Sequence, residues 1–263
     1  MARKGSRENR SGAMERQPAG TSWAPEDPRV GPLLRSSVIT RCRPIMWGSN
    51  GTFLVTMEAE DAGESHAIYK PRRGESPLWD FPHGTLFKRE MGAYLISEAL
   101  GWTLVPPTVT RDGPYGMGSV QLFIEHDTED YFRSPVRRDP KAAERIALLD
   151  LILNNADRKN EHCLRDLDGR TWAIDHGLTF HPEPKLRTVI WDFAGQPIRP
   201  NLLEDLLCLQ TALHSAAGLY TELGALVSEE EIAATRRRVS RLTRSGKYPD
   251  PGANRRVEPW AFW

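Results

Sequence analysis

Two aspartates, Asp157 and Asp175, are the residues whose spacing best predicts chemistry. They lie 18 positions apart in the segment LILNNADRKNEHCLRDLDGRTWAIDHGLTF. The first follows an apolar run, the second ends a short predicted strand, and a strand–turn–strand joins them. The ends of so small a hairpin can converge on one point, where one carboxylate orients a nucleophile and the other holds a divalent metal. The layout therefore predicts phosphoryl transfer.

A lysine and a glutamate upstream form a second predicted pair. Lys70 shares a face of a predicted strand with Ile68, because alternate side chains of a strand point to the same side. Glu90 lies twenty positions later, beside the apolar stripe of a predicted helix, so it can face inward. A strand lysine paired with a glutamate of the following helix is the ion pair with which kinases hold nucleotide phosphates. The alternative is an edge-strand lysine and a solvated glutamate.

The segment MWGSNGTFLV contains a turn of small residues between two predicted strands. Its backbone N–H groups and the Ser49 hydroxyl, with Asn50 and Gly51 beside it, can be presented to phosphate oxygens. Taken alone, the turn also fits an ordinary hairpin connection. The chain has no GxxxxGK[ST] motif, which excludes a Walker-type phosphate loop.

The predicted elements that position these residues change character along the chain. Short runs rich in β-branched residues predict strands in the first half, and GTLFKREMGAYLISEALG predicts one amphipathic helix. Pro106 and Pro107 confine the strand that follows this helix to an edge or a bend. In the second half, Asp139-Pro140 caps a buried helix, two short strands pair around Asp168-Gly169, and two more helices follow. Ser228 and Glu231 predict a capping box for the last helix.

These elements predict an α+β chain in three parts. Residues 1–33 are rich in polar residues, Gly and Pro, which predicts a disordered tail. Residues 34–126 form a small lobe of strands with one helix, and residues 127–263 form a helical lobe that carries both aspartate loops.

Composition limits the classes of function. The chain has 35 basic and 35 acidic residues, so no net charge favours nucleic acid as a general partner. Its three cysteines are widely spaced, which argues against a disulfide framework or a zinc cage. No apolar run approaches the roughly 20 residues that span a bilayer. We therefore expect a cytoplasmic protein without an integral membrane segment.

The order of Gly48-Ser49-Asn50-Gly51, IYKP, Glu90, ADRKNEH and AIDHG resembles the phosphatidylinositol 3-/4-kinase-like family. Within that family the chain looks most like a compact actinobacterial branch. The likeness runs from about Ser37 to at least Leu213. It implies the bilobal protein-kinase-like fold, with ATP bound between a β-rich and a helical lobe, and phosphoryl transfer to an acceptor that the sequence does not identify.

The resemblance also implies roles for individual residues. Lys70 would contact the nucleotide phosphates, Glu90 would hold it, and Asp157 would orient or deprotonate the acceptor. Asp175 would ligate Mg²⁺. The hinge against adenine would run from Gln121 through Phe123 to Glu125, and Trp191, Asp192 and Phe193 would lie in an activation or substrate loop.

One position departs from the kinase pattern. The second magnesium ligand is expected to be Asn five residues after the catalytic aspartate, but this position is His162, and Asn160 is only nearby. Imidazole is a poorer magnesium ligand than an oxygen, so manganese could be preferred. The alternative is a pseudokinase or regulatory module that binds nucleotide without transferring phosphate. A third possibility is an interaction scaffold that uses the aromatic C-terminus EPWAFW.

Overall fold

The computed structural model describes residues 23–45, 50–127, 133–252 and 257–259. As predicted, most of the strands in this part of the chain lie in its first half and most of the helices lie in its second half. Two short 3₁₀ turns lie at Arg72–Gly74 and Asn160–His162. The strands are β1 (Val38–Ile45), β2 (Thr52–Ala59), β3 (Gly63–Pro71), β4 (Thr108–Gly113), β5 (Gly116–Leu122), β6 (Cys163–Arg165) and β7 (Thr171–Ala173). The helices are α1 (Val30–Ser36), α2 (Leu86–Ala99), α3 (Pro135–Arg138), α4 (Pro140–Leu153), α5 (Pro200–His214), α6 (Leu219–Gly224) and α7 (Glu229–Ser245).

Five strands form one antiparallel sheet in the order β1-β2-β3-β5-β4. Strand β4 begins directly after Pro106 and Pro107 and lies at an edge, which confirms the prediction that these prolines confine it there. Proline lacks the N–H that a central strand needs for its second neighbour. In the β3–β5 ladder Lys70 is opposite Ser119, so the lysine is held in the middle of the sheet.

The prediction of a disordered tail through residue 33 is wrong for residues 23–33. Trp23 is buried, and its indole N–H donates to the Ala62 carbonyl over 2.9 Å. Val30 and Leu34 of α1 are buried in the same cluster against the sheet. These apolar side chains compensate for the loss of chain entropy, although the segment around them is polar. Residues 1–22 lie outside the described part of the chain.

The predicted helix caps of α4 and α7 are confirmed. The Asp139 side chain accepts from the Ala142 N–H over 3.0 Å. Ser228 and Glu231 form the reciprocal capping box of α7, and Gly246 ends that helix with a φ of 61°. Each cap satisfies backbone groups that a helix end leaves unpaired.

Two apolar clusters hold the fold together. One lies on the sheet and includes Trp172 of the β6–β7 hairpin, which pairs as predicted. The other joins the helices of the second half to α2 through buried residues such as Ile96 and Trp102. Each cluster thus draws on both halves of the chain. Among the described residues, none of the helices is both long and apolar enough to cross a bilayer.

Candidate active site

Lys70, Glu90 and Asp175 meet at one point. Lys70 lies at the end of β3, Glu90 lies on α2, and Asp175 follows β7. The Lys70 ammonium donates to the Glu90 carboxylate and, over 2.9 Å, to Oδ1 of Asp175. Glu90 is buried, whereas the Asp175 side chain is 47% exposed. The structure therefore brings together three predicted site residues and leaves the aspartate open to solvent.

Charge pairing fixes the protonation states of Lys70 and Asp175. Desolvation by itself lowers the pKa of Lys70, but the carboxylates of Asp175 and Glu90 outweigh it and raise that pKa above its ordinary value. Desolvation raises the pKa of Asp175, but the charge and the hydrogen bond of the Lys70 ammonium outweigh it and hold that pKa well below its usual range. At neutral pH Lys70 is therefore a cation and Asp175 an anion.

Adjacent residues of α2 hold the turn after Asp175 at both ends. Asp175 has a φ of 59°, in the left-handed region that non-glycine residues rarely adopt. The His176 N–H donates to Glu90 Oε2 over 2.9 Å, and Arg89 donates to the Thr179 carbonyl over 2.5 Å. The Thr179 hydroxyl closes the turn by donating to the His176 carbonyl over 2.7 Å. This network stabilises the strained conformation that presents the Asp175 carboxylate.

Arg89 also joins α2 to α7. Its Nη2 donates to Glu231 Oε1 over 2.6 Å, and both side chains are buried. The other carboxylate oxygen of Glu231 accepts from the Ser228 N–H over 2.8 Å. Loss of either partner would leave a buried charge uncompensated, so this ion pair fixes the position of α2. The sequence predicted the cap of α7 but not this contact, which spans 142 positions.

Asp157 lies in the loop after α4. Its N–H donates to the Asn155 side chain over 3.0 Å, and its Oδ2 lies 3.1 Å from the Lys159 ammonium. Burial raises the pKa of Asp157 to about 6, although the charge of Lys159 opposes the shift and that of Asp175 adds to it. A carboxylate with such a pKa can accept a proton near neutral pH.

Arg158, which no sequence motif singled out, is fully buried and joins the two aspartate loops. Its guanidinium pairs with Asp150 of α4 over 3.0 Å and donates to Nε2 of His176 over 2.7 Å. It also donates to the carbonyls of His162 over 3.1 Å and Ile174 over 2.8 Å. Asp150 is the sequence feature that could have indicated this ion pair, because a carboxylate within a buried apolar helix requires a partner.

His162 and Asp175 form a pair of acceptors that suits a cation. The Asp157 carbonyl can only accept, so His162 Nδ1, at 2.9 Å, donates to it. Burial lowers the pKa of His162 to about 4, which keeps the ring neutral and leaves Nε2 with a lone pair. That nitrogen lies 3.3 Å from Asp175 Oδ2. Among the described residues no three His, Cys, Asp or Glu side chains converge on a metal position. Asn160 lies in the same 3₁₀ turn as His162.

The predicted phosphate-covering turn is described only in part, since Ser49 lies outside the described residues. The Gly51 N–H donates to the Gly74 carbonyl over 2.7 Å, and the Asn50 side chain accepts from the Ser76 N–H over 2.7 Å. A Cβ on Gly74 would lie 2.7 Å from the Gly51 carbonyl oxygen, so the two backbones are in close contact. The Gly51 N–H is therefore already paired, and the described end of the turn packs against the segment after Lys70.

The predicted hinge, Gln121 to Glu125, contains a backbone N–H that is already paired within the protein. The Phe123 N–H donates to the His66 carbonyl of β3 over 3.0 Å, so it extends the sheet and is not open to a ligand. The Gln121 side chain is buried and donates to the Thr108 hydroxyl over 2.9 Å. Glu125 is partly exposed. The segment still leads from β5 toward the second half of the chain, as a hinge requires.

Two arginines of α7 donate hydrogen bonds to carbonyls of neighbouring helices. Arg236 donates to the Leu213 carbonyl at the end of α5, and Arg238 donates to the Ile152 carbonyl in α4 over 2.7 Å. Both therefore satisfy carbonyls in the last turns of helices. These two side chains therefore stabilise the packing of α7 against α4 and α5.

Val257, near the C-terminus, contacts the predicted activation or substrate loop. The Val257 carbonyl accepts from the Trp191 indole over 3.1 Å and from the Thr188 N–H over 3.0 Å. This contact ties residues 257–259 to the segment that follows Asp175. The aromatic residues of the possible interaction scaffold lie outside the described residues: Trp260, Phe262 and Trp263.

The chain has relatives of two kinds. It matches no protein-family model. It is 37% identical over 263 residues to protein Rv2133c of Mycobacterium tuberculosis (strain ATCC 25618 / H37Rv), covering 87% of this chain and 93% of that protein. It is 26% identical over 194 residues to phosphatidylinositol 4-kinase gamma 4 of Oryza sativa subsp. japonica. That alignment covers 58% of this chain but only 34% of the rice protein.

Solved structures show the fold. The crystal structure of the Golgi casein kinase aligns with a TM-score of 0.52 and 16% identity, covering 85% of this chain and 79% of that one. The structure of hydra Fam20 with sugar aligns with a TM-score of 0.51 and 11% identity, covering 82% and 86%. The chain therefore has the bilobal kinase-like fold that its motifs predicted.

Proposed function

The chain belongs to the same family as protein Rv2133c of Mycobacterium tuberculosis, and we propose that it is an ATP-dependent phosphotransferase. One observation carries the proposal: the Lys70 ammonium contacts both Glu90 and Asp175 within a kinase-like fold. Kinases require a lysine–glutamate pair and a metal-binding aspartate together for transfer. The rice 4-kinase match supports the finer assignment to the phosphatidylinositol 3-/4-kinase-like group.

The chain's own residues would act by position and charge. Lys70, kept cationic, would bind phosphate oxygens, and Glu90 would hold the lysine in place. Asp157, whose pKa lies near 6, would orient the acceptor hydroxyl and take its proton. Arg158 would fix the loop that carries Asp157, so that little reorganisation is needed on binding.

A divalent metal ion that accompanies the nucleotide would be held by Asp175 and His162. Asp175 and His162 offer an oxygen and a nitrogen acceptor 3.3 Å apart, and Asn160 is on the same 3₁₀ turn as His162. When bound, Mg²⁺ or Mn²⁺ neutralises phosphate charge. The nitrogen donor suits Mn²⁺ better than it suits Mg²⁺. Glu125, which follows β5 and is partly exposed, would border the nucleotide base.

A transfer assay tests the proposal. The full chain is incubated with labelled ATP and Mg²⁺ or Mn²⁺, with phosphatidylinositol vesicles in one arm and casein in another. We expect label in an acceptor, or phosphate release to water, and a loss of at least a hundredfold in the Asp157→Asn and Asp175→Asn variants. Asp168→Asn is the matched control, because this exposed aspartate lies in the β6–β7 turn. Equal activity in all three variants would refute the assignment of the site.

A second candidate function is nucleotide binding without transfer. The observation that favours it is His162, whose imidazole stands where kinases place a second oxygen ligand for magnesium. ATP binding that depends on Lys70 and Asp175, with no transfer in either metal, would support this candidate. Transfer that rises when His162 is replaced by Asn would identify the histidine as the limiting residue.

A further inference from the structure

Gln121 lies on the sheet face that carries Lys70. In the β3–β5 ladder Lys70 is opposite Ser119, and Ile68 is opposite Gln121. Opposed residues of an antiparallel pair share a face, and so do alternate residues of one strand. Lys70 reaches Asp175 from this face. The same face continues from the Lys70 ammonium past Ile68 and Gln121 toward the end of β5.

The Gln121 amide has one fixed orientation. Thr108, fully buried on β4, donates its single hydroxyl proton to the Pro106 carbonyl over 2.8 Å. Thr108 Oγ1 must therefore accept in its second contact, and Gln121 Nε2 donates to it over 2.9 Å. This chemistry settles which end of the amide carries the oxygen. Within the described part of the chain, no residue donates a hydrogen bond to Gln121 Oε1.

We propose that Gln121 selects the base of the nucleotide, favouring a 6-amino purine over a 6-oxo purine. This inference rests on the proposed function. The Gln121 Oε1 accepts a hydrogen bond from the exocyclic amino group of adenine. With guanine or hypoxanthine the purine O6 would face Gln121 Oε1, and both atoms are acceptors. Gln121 is only 7% exposed, so little water can reach the amide to relieve that mismatch. Thr108 is the positioning residue, because it prevents the amide from turning over.

Nucleotide binding by the full chain tests this inference independently of transfer. Dissociation constants are measured for ATP and inosine triphosphate, which carries an oxygen in place of the 6-amino group, both with Mg²⁺. The wild type should prefer ATP by about tenfold or more, as expected for one buried hydrogen bond. In Gln121→Leu the ratio should fall toward one. Thr108→Val should relax the ratio because the amide can rotate, whereas Thr108→Ser keeps the hydroxyl and should keep the ratio.

The outcomes separate this inference from the proposed function. A Gln121→Leu variant that binds both nucleotides with the wild-type ratio overturns the selectivity, while leaving the phosphotransferase proposal intact. A wild type that binds neither nucleotide overturns both. If Gln121→Leu does not fold, the two Thr108 variants decide the matter, and equal ratios in Thr108→Val and Thr108→Ser overturn the inference.

Discussion

Replacing Asp157 by Asn should stabilise the protein at neutral pH while abolishing transfer. Burial moves the pKa of Asp157 from its ordinary 3.8 to about 6. Each pKa unit corresponds to about 1.4 kcal/mol, so ionising this group costs the folded state about 3 kcal/mol. Solvent reaches the 23% exposed side chain, which reduces the expected gain to about 2 kcal/mol.

The sign of the pH dependence follows from the raised pKa. The folded protein binds this proton more tightly than the unfolded chain, so the group's favourable contribution is present below about pH 4 and is lost as the pH rises to about 6. Asparagine does not titrate. The advantage of Asp157→Asn should therefore be about a third of its full size near pH 4.5 and fully developed by pH 8.

Urea unfolding of the protein without nucleotide or metal measures this difference. Wild type, Asp157→Asn and the exposed control Asp168→Asn are compared at pH 4.5, 6 and 8. The control should stay within about 0.5 kcal/mol of wild type at each pH. A gain that is equal at pH 4.5 and pH 8, or a destabilised Asp157→Asn protein at pH 8, would refute the reasoning that Asp157 is a desolvated carboxylate.

Two further predictions concern stability. Glu231→Gln should cost about 3–5 kcal/mol in urea unfolding, because it leaves the buried Arg89 without a counter-charge, whereas Glu230→Gln on the exposed side of the same helical turn should be nearly neutral. Equal effects would mean that the ion pair does not fix α2. Trp23→Ala should cost about 3–5 kcal/mol because Trp23 is buried against the sheet, while the same change at Trp79, which is 92% exposed, should cost less than about 1 kcal/mol. A neutral Trp23→Ala would show that residues 23–33 are dispensable for the fold.

Local patterns were sufficient to predict most elements. The caps Asp139 and Ser228 act within one helical turn, and the β6–β7 hairpin closes over a few residues, so the sequence around each contains all the interacting groups. The tail prediction was wrong because Trp23 and Val30 gain their burial from a sheet that composition alone does not reveal.

The sequence by itself determined which residue types could form the site and in what order: Lys70, Glu90, Asp157 and Asp175. Only the tertiary structure decided that Lys70 contacts two carboxylates and that Arg158 binds the two aspartate loops together. The physical reason is the separation along the chain over which each interaction acts. Helix and turn signals act over a few residues, whereas the Lys70–Asp175 contact spans 105 positions and depends on how the sheet and helices pack.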